Sequence, residues 1–357
     1  MASESDEVLT RVEAGIGLIT LNRPKAINSL NQQMVDALTA ILARWEDDDA
    51  VRAVVLSGAG ERGLCAGGDV VAIYHSARKD GVEARRFWRS EYLLNSQIAG
   101  FAKPYVSLMD GIVMGGGVGI SAHANTRVVT DTSKVAMPEV GIGFSPDVGG
   151  TYLLSRAPGA LGLHVALTGA PFSGADAIEL GFADHYMPHS DLDAFVRAVV
   201  TDDVNSALAR YAIEPPPSYL AAQRDWIDEC YVGETVEDII AALRGHDAVP
   251  AEGAINLIAS RSPVALSVTL EAVRRATKLK TLKDVLKQDY RVSSASLHSH
   301  DLVEGIRAQL VHKDRNPQWA PATLAEVTAA DIYRYFEPVD DDLSFKCLER
   351  QFGDEVT

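Results

Sequence analysis

Residues 137–150 read MPEVGIGFSPDVGG, an apolar, glycine-rich stretch that carries two acids, Glu139 and Asp147. Each follows a proline, as Pro138-Glu139 and Pro146-Asp147. Carboxylates are rarely buried unless they are paired or used. With Val140, Ile142 and Phe144 around them, desolvation is expected to raise the pKa of at least one, and like-charge proximity acts in the same direction. On these residues alone, each acid has a plain alternative. Glu139 could cap a turn on a partly exposed loop, and Asp147 could cap a helix starting near Gly149.

The sequence around this stretch alternates short strands with glycine loops. "VEAGIGLITLN" reads as strand, turn, strand. A helix is predicted from Gln32, with Met34, Leu38, Ile41, Leu42 and Trp45 at helical spacing and Asn31 as its cap. "VRAVVLSG" is a short buried strand, and a helical stretch covers roughly 84–99. "TRVVTDTSKVAMPE" reads as a further strand pair around a polar turn. From about Asp191 the texture turns helical, with a proline linker at 214–219 and a capping box at Thr323 and Glu326. The acidic "EPVDDDLSF" reads as a solvated tail. This suggests a catalytic core over 1–200 and a mainly helical region over 201–357.

Composition narrows the function. The chain has 357 residues, 47% of them hydrophobic, and a net charge of −16 from 33 basic and 49 acidic residues. That balance argues against a nucleic-acid partner. Cys65, Cys230 and Cys347 are too few and too scattered for a disulfide framework or a zinc site. A reducing cytoplasm is the expected setting. The N-terminal "MASESDEVLTRVEAG" lacks a hydrophobic signal core, and "YVSLMDGIVMGGGVGISAHA" carries Asp110 and His123, so no membrane span is expected.

Two glycine loops are the candidates for chemistry: Cys65-Ala66-Gly67-Gly68-Asp69 and Gly115-Gly116-Gly117-Val118-Gly119. Glycine lets backbone approach a ligand closely, and N–H groups at a helix start are free to bind an oxygen. Tight turns and close helix packing would need the same glycines. No window fits G-x-G-x-x-G, G-x-x-x-x-G-K-[ST] or G-x-S-x-G, which removes the usual dinucleotide, P-loop and serine-hydrolase readings. Cys65 reads as a small buried thiol. His298, His300 and Asp301 in "HSHD" suggest metal ligands only weakly, structural hydrogen bonding is the favoured reading, and no metal site is expected. Lys278, Lys280, Lys283 and Lys287 form either a solvated face or a patch for phosphates.

"LCAGGDV", "DGIVMGGGVGIS" and "MPEVGIGFSPDVGGTYLLSR" resemble the crotonase (enoyl-CoA hydratase/isomerase) superfamily. The resemblance implies an α/β crotonase-like (ClpP/crotonase) fold, with a repeated β-β-α superhelical core followed by C-terminal helices. It implies an acyl-CoA substrate and no further cofactor; superfamily members commonly form homo-oligomers, a state that varies among them and stays open for this chain. It places oxyanion donors at the backbone of Gly68 and Gly116. It also places Lys25 and Ala26 of "LNRPKAINSLN", together with Ala66 and Asp69, at the substrate. Hydratases of this superfamily carry a glutamate where this chain has Gly119, and usually a glycine where it has Asp147. Glu139 matches the acid they share. Glu plus Asp at this spacing resembles the 3-hydroxyisobutyryl-CoA hydrolase branch. "RSEYLLN", "SPVALSVTLEAV", "LKQDYRVSSASL" and "HDLVEGIRAQLVHKDRNPQWAP" extend the likeness, which carries substrate contact over to Glu91. The implied reaction is thioester hydrolysis in valine breakdown. An enoyl-CoA hydratase/isomerase and a non-catalytic acyl-CoA-binding module are the alternatives.

Overall fold

The computed structural model describes residues 6–345, so Cys347 lies outside the described residues. Strands β1 (Val8–Glu13) and β2 (Ile16–Leu21) form an antiparallel hairpin. Its two turn residues, Ala14 and Gly15, both have positive φ, which matches the twist of the strands they join. Helix α1 (Gln32–Glu46) follows, and the Asn31 side chain accepts from the Met34 N–H, as the sequence predicts. Next come β3 (Ala53–Gly58), α2 (Val70–Ala77), α3 (Val82–Ala99), β4 (Tyr105–Met109), β5 (Ile112–Met114) and α4 (Gly116–Ser121). Then follow β6 (Thr126–Val129), β7 (Lys134–Ala136), α5 (Gly150–Leu154), β8 (Phe172–Ser173) and β9 (His185–Tyr186).

The strands build two sheets. The larger has the order β1-β2-β3-β4-β6-β9, parallel from β2 onward. It separates two apolar layers by strict alternation. Ile19, Leu21, Val54 and Leu56 face the main core, whereas Ile16, Leu18, Ala53 and Val55 face helices Leu192–Thr201 and Val204–Tyr211. The smaller sheet, β5-β7-β8, is extended by bridges from Cys65 to Val113 and from Leu30 to Gly68. Each repeat therefore turns a corner, giving one strand to the large sheet and one short piece to the small one.

That corner corrects the strand-pair reading of "TRVVTDTSKVA". β6 and β7 do not pair with each other, because each joins a different sheet. The polar residues between them fix the bend: Ser133 Oγ donates to the Met109 carbonyl at 2.6 Å, and Thr130 Oγ1 donates to Asp110 at 2.6 Å.

The later helices pack partly onto the main core and partly, through Val264, Val268, Ala272 and Val292, around Tyr335 and Phe336. Val285, Leu286, Tyr290 and Val292 of helix Leu282–Ser296 are buried, as are most residues of helix Pro263–Ala276. The tail reading also needs correction. "EPVDDDLSF" is anchored rather than solvated: Asp341 pairs with Arg89, Asp342 pairs with Arg291, and Leu343 and Phe345 are buried in the main core. The two apolar side chains outweigh the acidity of their neighbours, which find arginine partners. Among the described residues no helix is long and apolar enough to cross a membrane.

Candidate active site

The two glycine loops meet at the inner end of a cleft of about 880 Å³. Gly67 (φ +102°) and Gly115 (φ +48°) each take a backbone conformation that costs other residues free energy. A Cβ on Gly116 would lie 3.2 Å from the Gly68 nitrogen and would collide with Glu91 Oε1. Side chains here would thus force the loops apart. Gly116 opens α4, where helix N–H groups have no intrahelical acceptor. Among the described residues, the Gly68 N–H has no backbone acceptor either. The loops thus bring two amides together at the cleft floor.

Three acids surround this floor. Glu91 comes from α3, Glu139 from the turn that follows β7, and Asp147 from the loop before α5. All three line the cleft and all are buried, with relative exposures of 2%, 6% and 6%. Trp88 and Phe144, stacked with centroids 5.4 Å apart, form an apolar wall. Burial raises the Glu139 carboxyl well above its ordinary value, and Asp147 adds to the effect. Glu91 is raised for the same first reason, with Asp147 and Glu139 contributing. Burial pushes Asp147 up to about 7, opposed by the hydrogen bond it accepts from Tyr92. Among the described residues, Glu91 Oε1 and Glu139 Oε2 are buried without a hydrogen-bond partner, so each keeps an oxygen for what enters the cleft.

Neither acid acts as a cap. Glu139 makes no side-chain cap, and α5 is preceded by Gly149 while the Asp147 carboxylate accepts from Tyr92 Oη at 2.6 Å. Gly119 is closed to a carboxylate: a Cβ there would lie 2.7 Å from Val148 Cβ and 2.8 Å from Asn95 Nδ2.

Lys25, Ala26, Ala66, Gly68 and Gly116 all line the cleft, as the sequence suggests. Asp69 does not. Its carboxylate accepts from the Ala72 N–H at the start of α2 and pairs with Arg23 at 3.3 Å, which turns it away. Lys278, Lys280, Lys283 and Lys287 also lie off the cleft, and the last two approach the Phe345 ring. The basic rim is made instead by Lys25, Arg62, Arg261 and Lys313. Cys65 is buried and its thiol is pushed up to about 12, so it is no nucleophile. His300 contacts the Gln318 carbonyl, and Asp301 accepts from Ser262 and from the Ala320 N–H.

Sequence reasoning did not point to Tyr92, Asp289 and Ser293. Asp289 and Ser293 are one helical turn apart on the buried face of helix Leu282–Ser296. A polar pair at i,i+4 among buried apolar positions was the available signal.

Comparison with known proteins identifies the family. The family model described as enoyl-CoA hydratase/isomerase matches residues 16–336. The chain belongs to the enoyl-CoA hydratase/isomerase family. Within it, the chain is 38% identical over 355 residues to the mitochondrial 3-hydroxyisobutyryl-CoA hydrolase of Rattus norvegicus, covering 96% of this chain and 92% of the relative. The Homo sapiens protein of that name is 38% identical over 354 residues, covering 96% of this chain and 91% of the relative. A solved structure of a protein named as a carnitinyl-CoA dehydratase, from Mycobacterium thermoresistibile, is 70% identical, with a TM-score of 0.94 over 96% of this chain and 99% of that one. Another, of a protein named as an enoyl-CoA hydratase from Rhodobacter sphaeroides, is 38% identical, with a TM-score of 0.90 over 95% of this chain and 100% of that one. The fold is therefore that of crotonase-like enzymes. The names of these relatives divide between cutting a thioester and adding or removing water.

Proposed function

We propose that this chain hydrolyses the thioester of 3-hydroxyisobutyryl-CoA, or of a close short 3-hydroxyacyl-CoA, a step of valine breakdown. One observation carries the reading. Glu139 and Asp147 share a buried cleft with the Gly68 and Gly116 amides, while position 119 has no room for the second acid of a hydratase.

In this reading the two amides polarise the thioester carbonyl and hold the oxyanion that forms. Losing one such donor costs about 3–4 kcal/mol of barrier. Glu139 either attacks the carbonyl carbon to give a mixed anhydride or removes a proton from an attacking water. On either route the tetrahedral intermediate collapses with cleavage of the C–S bond, and the CoA thiolate takes up a proton. On the anhydride route a water then releases the acid and restores Glu139. Asp147, poised near 7, holds the substrate hydroxyl or the water and moves that proton. Glu91 offers its free oxygen to the acyl end. Lys25, Arg62, Arg261 and Lys313 face the CoA phosphates. The scheme uses the acids and the backbone donors alone, with no metal or organic cofactor.

The name carried by the 70% identical relative favours a second reading, dehydration of a 3-hydroxyacyl-CoA. Supplying 3-hydroxyisobutyryl-CoA, carnitinyl-CoA and crotonyl-CoA separates the two, with free thiol and enoyl absorbance followed together. Thiol release from the first, without an enoyl signal, supports hydrolysis. Turnover of either of the others without thiol release overturns it. Tight binding of all three without turnover would leave a binding module.

A further inference from the structure

Asp147 sits on a turn that its neighbours would not adopt alone. Val148 has φ +51° and Gly149 φ +74°. A β-branched residue in the left-handed region is strained and persists only where its surroundings hold it. Two groups hold this turn. His123 Nε2 lies 2.8 Å from the Val148 carbonyl, and burial lowers this imidazole to about 4, so the neutral ring donates from Nε2. The Gly149 N–H donates to Asp289 Oδ2 at 2.8 Å, and Thr151 Oγ1 donates to Asp289 Oδ1 at 3.1 Å.

A second set of bonds holds the carboxylate itself. Tyr92 Oη donates to Asp147 Oδ2 at 2.6 Å and lies 2.6 Å from Ser293 Oγ. Tyrosine has one hydroxyl proton, and here Asp147 receives it. Ser293 must therefore donate to the Tyr92 oxygen. The chain runs from Ser293 through Tyr92 to Asp147. When Asp147 takes up a proton it becomes a donor, and the same three groups can pair in reverse order. Neither charge state of Asp147 then leaves a buried hydroxyl without a partner.

We infer that Tyr92, Ser293 and Asp289 are positioning residues for Asp147, and that helix Leu282–Ser296 thereby sets the geometry and charge of the second acid. The inference rests on the proposed part of Asp147 in hydrolysis. The ionisable groups facing Asp147 are Glu91 and Tyr92 from α3, Glu139 from the turn after β7, and Asp289 from the helix. Tyr92 alone among them donates to its charged form.

The test is thiol release from 3-hydroxyisobutyryl-CoA across pH for Y92F, D289N and D147N, with circular dichroism to check folding. Y92F removes the donor to the carboxylate, so Asp147 holds its proton to higher pH. Asp147 returns the proton as an acid, so the descending limb of kcat/KM is expected to move up by about one pH unit, a roughly ten-fold higher rate on the alkaline side. KM should stay near the wild-type value. In D289N an amide must face either the Gly149 N–H or the Thr151 hydroxyl, and kcat is expected to fall about ten-fold at unchanged KM. An unmoved limb in folded Y92F, or a wild-type kcat in folded D289N, overturns the inference while an impaired D147N leaves the hydrolase reading standing. Wild-type turnover in D147N overturns both.

Discussion

Glu139 and Asp147 stand eight residues apart in sequence and are held in opposite ways. Glu139 lies at the end of the small sheet, against Gly115, and one of its carboxylate oxygens has no partner among the described residues. Asp147 rides on a strained turn and is tied through Tyr92 to Ser293, on a helix far along the chain. Burial raises both. A free buried carboxylate is suited to attack or to take a proton from water. A tethered one is suited to orient and to return a proton. The difference teaches that the two acids are not an equivalent pair, and each substitution below tests that asymmetry.

The largest effect is expected at Glu139. E139Q should lower kcat by on the order of 10³-fold with little change in KM, read by steady-state thiol release. Wild-type turnover would remove the asymmetry at its stronger end. G116A comes next. Its methyl group would collide with Glu91 Oε1 and shift the amide, lowering kcat by about 10²-fold.

D147N should fall below these, with a loss of about 10-fold to 10²-fold in kcat, and it carries a stability signature. The folded carboxyl sits near 7, above its unfolded value of about 3.8. Its contribution to stability is thus full below about pH 4 and is lost as pH rises through 7. That loss amounts to about 4 kcal/mol at most. An asparagine still accepts from Tyr92 and has no proton to lose. Thermal melts should therefore show D147N more stable than wild type at pH 8 and similar near pH 4. Equal melting temperatures at pH 8 would mean that Asp147 is not a costly buried charge.

The smallest effect belongs to the rim and serves as a control. K25A/K313A leaves both acids untouched and should raise KM several-fold at low salt with kcat unchanged, the difference shrinking as salt is added.

The architecture was legible in the sequence because local rules agree with it. Asn31 caps α1, and Ile19, Leu21, Val54 and Leu56 alternate with residues of the outer layer. The glycine loops and Glu139 were legible as motifs. The bend between β6 and β7 was not, since a polar turn looks the same whether its strands pair or part. The anchored tail was hidden by Asp340, Asp341 and Asp342, because the arginine partners of the last two lie far away in sequence. Asp69 was misleading because a capping aspartate and a ligand-binding one look alike beside a glycine loop. Tyr92, Asp289 and Ser293 escaped because their meeting depends on α3 packing against a helix about 200 positions later.

Gly119 carries a consequence for descent. Its neighbours Val148 and Asn95 fill the space a side chain would take, and both polar atoms of the Asn95 amide are without a partner among the described residues. A glutamate does not fit here by one substitution, because Val148 belongs to the turn that presents Asp147 and Asn95 would have to move as well. Every intermediate would carry either a crowded core or a displaced second acid. Position 119 is thus locked to Val148 and Asn95, and the three residues are expected to change together or not at all.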